Sequence, residues 1–347
     1  MKLLEIKNFV TSRIIDLIGG QKVMTLQIDI TNACNLSCAH CYHAHHNNKG
    51  AILFDDWCAI IQQYKTMIEK LHLAPKIVLC GGEPTISPLL LPILNHLESQ
   101  WPGVRISILT NGTRLSEKLL LQLKPFNIEF QISLDGPDSA RHDEIRGYGN
   151  FNKSAEALQR ARAMGFDVFL LAILSKKTSD WIEDFFDMAK NLGANQMNFT
   201  RFISQGNGAE LQASGKDRPL LPEELRDTMS IIWNKSKQMG VRTNTNQALF
   251  NLIDPSLGAN EKYGFQGLVI DYKGNLKISS RADAIIGNVL TDGLENLFFN
   301  SAVLRNLRQA NIRKCGRCPH YRRCGGSRNA SYAATGSFLE ADPGCWI

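Results

Sequence analysis

Three cysteines share one short loop: Cys34, Cys38 and Cys41, spaced C-x3-C-x2-C. Thiolates that close in sequence can hold three corners of a [4Fe–4S] cluster and leave the fourth iron open to a small molecule. The same thiolates with His40 or His43 would also make a zinc site. A second set lies near the C-terminus: Cys315, Cys318 and Cys324, spaced C-x2-C-x5-C, with Cys345 after a gap of 20 residues. Four thiolates suffice for a closed site, of iron–sulfur or of zinc. Of the nine cysteines, Cys58 and Cys80 stand apart and read as core thiols. An odd total in a large chain argues against a disulfide framework and for metal binding in a reducing compartment.

These groups need a scaffold, and the chain supplies an alternating one. Strand-like runs fall at 25–31, 76–80, 104–110, 128–134, 167–174 and 196–202. Helical stretches separate them. The first carries Trp57, Ile60, Ile61, Tyr64, Met67, Ile68 and Leu71 as a stripe of period 3.6. Six strand–helix units predict a parallel sheet curled into a partial (β/α)6 TIM-like barrel, in an α/β fold class. Barrels of this kind keep their chemistry at the C-terminal ends of the strands. The first cysteine loop follows strand one. Gly81-Gly82-Glu83-Pro84 follows strand two, Thr110-Asn111-Gly112 closes strand three, and Ser133-Leu134-Asp135-Gly136 closes strand four. Each alone reads as a turn. All of them at successive strand ends point to one site. After Gly240 the alternation stops, short strands are expected over 263–290, and LENLFFNSAVLRNLRQA reads as one helix. The sequence thus divides into an N-terminal amphipathic lead segment (1–24), a barrel (25–240) and a small C-terminal α+β iron–sulfur domain (241–347).

The cysteine spacing with GGEP, TNG and SLDG resembles the radical S-adenosylmethionine (radical SAM) superfamily over residues 25 to about 205. The resemblance implies that Cys34, Cys38 and Cys41 hold a [4Fe–4S] cluster whose fourth iron is chelated by SAM. It implies that His40 sits near the adenine and that Gly81, Gly82 and Glu83 meet the methionyl ammonium. Ser133 and Asp135 would lie near the ribose, and Arg146 is a candidate partner for the SAM carboxylate, with a plain surface salt bridge as its alternative. SAM would be cleaved to methionine and a 5′-deoxyadenosyl radical that abstracts a substrate hydrogen. The tail resembles the C-terminal SPASM extension of these enzymes, which normally carries two auxiliary clusters. Here Cys315, Cys318, Cys324 and Cys345 would hold one auxiliary [4Fe–4S] cluster. The second set is incomplete, with Ser279-Ser280 and Ser327 where cysteines would stand, and Asp292 would be an unusual substitute ligand.

Relatives with this extension mostly modify ribosomally made peptides by crosslinking, oxidation or epimerisation. The implied substrate is therefore a peptide, and an acidic leader would suit a chain of net charge +6. Heme-precursor enzymes of tetrapyrrole biosynthesis are the alternative, since the ending CGG…DPGCW resembles theirs. A zinc-stapled binding module without catalysis is the non-enzyme alternative. An electron donor such as flavodoxin or ferredoxin is implied. With no long N-terminal extension before the barrel, recognition of the peptide is expected to fall to a separate peptide-recognition protein or to the barrel mouth itself. Lys and Arg outnumber Asp and Glu by only 39 to 33. The basic run Arg313–Arg328 carries only Tyr321 among Phe, Tyr and Trp and offers no interleaved aromatic platform, so no nucleic acid is expected. No apolar run approaches the ~20 residues of a membrane span and no signal peptide is apparent, so a cytoplasmic protein is expected. His43 to His46 (HAHH) reads as a solvated loop.

Overall fold

The computed structural model describes residues 23–43, 46–258 and 267–347. The expected lead helix lies outside the described residues. Six parallel strands, β1 (Val23–Asp29), β2 (Ala74–Cys80), β3 (Ile106–Thr110), β4 (Ile128–Ser133), β5 (Asp167–Leu174) and β6 (Gln196–Arg201), pair in sequence order. Between them lie α1 (Phe54–Leu71), α2 (Leu90–Gln100), α3 (Glu117–Leu123), α4 (Ser139–Arg146), α5 (Asn150–Ala163) and α6 (Ile182–Asn191); α7 (Asn207–Ala213) and α8 (Pro222–Met239) follow β6. This is the predicted alternation.

The period-2 pattern of β5 explains its place. Val168, Leu170, Ala172 and Leu174 are buried in the core, whereas Leu171 and Ile173 face the barrel interior. Every residue of the α1 stripe is buried, and His72 ends the helix with φ 55°. The Tyr64 hydroxyl donates to the carbonyl of Met24 at 2.5 Å, fastening α1 to β1.

The tail does not form a separate sheet. Strand β7 (Gly267–Ile270) pairs parallel to β1, and β8 (Asn275–Lys277) and β9 (Ile285–Asn288) continue antiparallel beyond it. The sheet order is β6-β5-β4-β3-β2-β1-β7-β8-β9. The stretch read as one helix is two, α9 (Leu294–Asn300) and α10 (Ala302–Arg308), broken at Ser301 with φ −58° and ψ 126°. Asn and Ser weaken a helix interior by competing for backbone hydrogen bonds. The helix α4 had no apolar stripe to announce it, since only His142 and Ile145 of its residues are buried; Asp138 caps it by accepting from the Arg141 amide. A further helix, α11 (Arg328–Thr335), is capped by Ser327. Among the described residues no helix is long and apolar enough to cross a membrane.

Candidate active site

A cavity of about 510 Å³ opens at the C-terminal ends of the strands. Cys34, Cys38, Cys41, His40, Gly81, Gly82, Ser133 and Arg146 all line it. Strand order alone brings them together. Each sits in the loop after β1, just after β2, at the end of β4 or at the end of α4.

The loops after β1 and β2 are laced together. Gly82 N donates to Thr31 O at 2.8 Å and Glu83 N to Ala33 O at 2.9 Å. A Cβ on Gly81, which has φ 131°, would lie 2.1 Å from Thr31 O, and one on Gly82 would lie 2.2 Å from Ala33 O. The paired glycines are therefore required by the approach of the cysteine loop itself. Two further contacts pin that loop. Ala39 N donates to Ile145 O at 2.8 Å, and the Asn207 side-chain Nδ2 donates to Cys38 O at 3.0 Å.

Two expected SAM contacts are turned inward. Glu83 is 1 % exposed and outside the cavity lining. Its carboxylate accepts from Thr85 N, Thr85 Oγ1, Thr110 Oγ1 and Asn111 N. Burial pushes its carboxyl up, and these donors offset part of the rise. Asp135 is wholly buried and also outside the lining. It accepts from Arg146, from His40 Nε2 at 2.5 Å and from Ile173 N at 2.7 Å. Burial would raise its carboxyl, but Arg146 and His40 more than offset that and hold it well below the usual range. Arg146 in turn reaches Cys38 Sγ at 3.8 Å. It is no surface salt bridge: its side chain is 12 % exposed, and the cation stands between a carboxylate and a cysteine of the loop.

The three thiols fit an open iron–sulfur site. All are free, and all face one cavity beside small, polar neighbours. Burial pushes Cys34 up to about 11 and raises Cys38 and Cys41 as well. Deprotonation at neutral pH would thus be driven by bound iron. Cys80 also lines the cavity, as do His43 and His46; His43 is wall rather than solvated loop.

Sequence reasoning missed the far wall of the cavity. Asn198 and Arg201 of β6, Asn244, Gln247 and Arg281 line it. No shared motif or spacing links these positions, so nothing in the sequence marked them.

In the tail, Cys315, Cys318, Cys324 and Cys345 converge on one small cavity with Asp342. All four are free, which fits a closed four-thiolate site. Among the described residues no three His, Cys, Asp or Glu groups draw together around a single ion. Of the six cationic residues from Arg313 to Arg328, only Arg328 is buried; it donates to Cys315 Sγ at 3.6 Å. Asp342 accepts from Arg201 at 2.8 and 2.9 Å, and from the amides of Ser327 and Gly344. Ser279, Ser280 and Ser327 line the main cavity. Asp292 accepts from Asn288 N instead, at the short helical turn that follows β9.

An open parallel barrel with a three-thiol loop after its first strand, laced to a Gly-Gly-Glu-Pro loop after its second, defines a radical SAM domain. Residues 28–189 match the radical SAM superfamily, and over them the chain carries that domain, which uses a [4Fe–4S] cluster and SAM. Along nearly its whole length the chain is similar to mycofactocin maturase MftC of Mycobacterium tuberculosis (strain CDC 1551 / Oshkosh): 29% identical over 343 residues, covering 94% of this chain and 84% of that one. It is also similar to the AdoMet-dependent heme synthase of Methanosarcina barkeri (strain Fusaro / DSM 804), at 24% identity over 91% of this chain and 94% of that one. Among solved structures it shares its fold with Streptococcus suis SuiB bound to precursor peptide SuiA, with a TM-score of 0.74 at 16% identity, covering 94% of this chain and 76% of that one. Over residues 28–189 the chain thus carries the domain of a radical SAM enzyme.

Proposed function

We propose that this enzyme modifies a ribosomally made peptide, starting with removal of a hydrogen atom from a side-chain or α carbon. The similarity to a peptide maturase along 94% of the chain carries the reading. Cys34, Cys38 and Cys41 would hold the cluster, which would supply the one electron needed to cleave SAM to methionine and a 5′-deoxyadenosyl radical able to take the hydrogen atom. The chain's own residues do the rest. The lacing of Gly81 and Gly82 to Thr31 and Ala33 holds the cysteine loop at a fixed height over the barrel. Arg146, fixed by Asp135, offsets thiolate charge at Cys38. His40 and Ser133 offer polar edges to the cavity. Ile173 and Leu171 give it an apolar floor that limits water around a reactive carbon. Cys315, Cys318, Cys324 and Cys345 hold one auxiliary [4Fe–4S] cluster. The electron comes from a flavodoxin- or ferredoxin-type donor in the cytoplasm. An acidic leader, or a separate recognition protein, brings the peptide.

The test uses reductant, SAM and the short peptide encoded beside this chain's gene. Release of 5′-deoxyadenosine, and a peptide lighter by two hydrogens or heavier by one solvent deuteron, is the expected result. Cys34→Ala, Cys38→Ala or Cys41→Ala should each abolish both. An unchanged peptide with turnover of a tetrapyrrole would transfer the enzyme to heme-precursor chemistry, and a colourless zinc protein would overturn both readings.

A further inference from the structure

The main cavity is cationic. Arg146, Arg201 and Arg281 line it, and among its described lining residues there is no Asp or Glu. Two of the three arginines are already matched. Arg146 is bonded by Asp135, and Arg201 is gripped by both oxygens of Asp342. Arg281 is different. Its Nη1 donates to Thr200 Oγ1 at 2.6 Å, and among the described residues it makes no ion pair. Its place is also set. Arg281 lies between β8 and β9, with its amide donating to Ser279 Oγ at 3.1 Å. Thr200 lies on β6, at the other end of the nine-stranded order. The bond therefore ties the two ends of the open sheet across the cavity and holds the guanidinium at its wall. Most of the five donors of an arginine remain for a ligand.

We infer that Arg281 anchors a carboxylate of the substrate in this cavity. A half-buried cation without an ion-pair partner among the described residues, in a cavity whose described lining holds no carboxylate, favours an anion there, because attraction is screened less than in open water. The planar fork of a guanidinium matches a carboxylate with two parallel hydrogen bonds. A doubly charged phosphate would want a second free cation, and Arg146 and Arg201 are both neutralised in place. The carboxylate is either the C-terminus of the peptide or an acidic side chain within it. The inference rests on the peptide reading for the carrier of that group, and its test separates the two.

The test uses enzyme loaded with its clusters and SAM, without reductant. Three peptide probes are compared by proton line broadening: N-acetyl-pentaalanine as free acid, the same peptide as C-terminal amide, and N-acetyl-Ala-Ala-Glu-Ala-Ala-amide. Coproporphyrin III, a tetrapyrrole with four carboxylates, is the fourth probe. The expected result is binding of the charged probes about ten- to hundred-fold tighter than the neutral amide, lost in Arg281→Gln and partly kept in Arg281→Lys. Preference for the free acid names the C-terminus as the source, and preference for the glutamyl amide names a side chain. Binding of coproporphyrin III alone, dependent on Arg281, would keep the carboxylate anchor and remove the peptide reading. Equal binding of acid and amide, or no dependence on Arg281 for any probe, overturns the inference. So does a loss of SAM affinity in Arg281→Gln, which would assign the arginine to the carboxylate of SAM. Iron content and thermal midpoint of both variants establish that they fold.

Discussion

Arg328→Gln tests what the four tail cysteines hold. Arg328 is only 1 % exposed. Its guanidinium donates to the carbonyls of Gly326, Phe338 and Glu340 and to Cys315 Sγ at 3.6 Å. Among the described residues it makes no ion pair. A buried cation needs a compensating charge, and removing the partner of a buried pair costs about 3–5 kcal/mol. A thiolate-ligated cluster is net anionic and supplies that charge; a neutral set of thiols does not. A full charge on that sulfur, 3.6 Å away, would feel about 5 kcal/mol at an effective dielectric near 20. An added electron shared among four thiolate corners places roughly a quarter of it there, so Arg328 favours the reduced state by about 1 kcal/mol, on the order of 50 mV. The assay is an anaerobic, EPR-monitored redox titration. It is done in a Cys34→Ala/Cys38→Ala/Cys41→Ala background, so that only the tail cluster titrates. Arg328→Gln should move the midpoint to more negative potential by about 50 mV or more. A midpoint unmoved, or moved to more positive potential, would refute the reasoning, and so would a tail that holds zinc.

Gly82→Ala should drive the cysteine loop off its seat, since its Cβ would meet Ala33 O at 2.2 Å. Overpacking of this kind costs about 1–3 kcal/mol, and iron should fall from about eight per chain toward four, read by metal analysis. Asp342→Asn should cost about 3–5 kcal/mol, because it removes the negative charge to which both Arg201 guanidinium nitrogens donate. Burial would raise the Asp342 carboxyl, but Arg201 more than offsets it and the net shift is downward. Its contribution is therefore complete above the unfolded value of about 4 and is lost as pH falls through the lower folded value, so wild type should lose stability on acidification there while Asp342→Asn loses less. Acid titration of the unfolding midpoint checks this, and parallel curves for the two proteins would count against it. Tyr64→Phe leaves the buried Met24 carbonyl without its 2.5 Å donor, and should lower stability by about 1–3 kcal/mol with iron content unchanged.

Local patterns carried most of the fold. The α1 stripe from Trp57 to Leu71 needed only period 3.6, and all seven residues are buried. The six strands followed from short apolar runs between helices, because a parallel sheet covered on its outer face leaves little choice of strand type. Helix α4 was not legible, since its fold depends on an Asp138 cap and on packing rather than on a stripe. The site was legible where spacing within one loop sets it, as for Cys34, Cys38 and Cys41. It was not legible where orientation decides. Glu83 and Asp135 stand at strand ends as expected, yet their carboxylates face Thr110 and Arg146. Which way a strand-end side chain points depends on donors far along the chain, such as Ile173 N for Asp135. The pairings Arg281–Thr200 and Arg201–Asp342 join positions 81 and 141 residues apart, and no pattern within either segment reports the other.

Those same long-range pairings bind the tail to the chemistry of the barrel. Strand β7 lies against β1, the strand that leads into the cysteine loop. Asp342 lines the tail cavity while its carboxylate grips Arg201 on the wall of the main one. Between Cys324 and Asn329 the chain alternates its allegiance. Cys324 and Gly326 line the tail cavity, and Ser327 and Asn329 line the main one. A segment this short cannot rearrange on one side without moving the other, because Ser327 N is itself held by Asp342. Metal at the four tail cysteines would therefore fix the shape of the substrate cavity as well as the fold of the tail. That coupling needs no electron transfer between the two sites; it follows from one carboxylate of the tail cavity that grips an arginine of the main one.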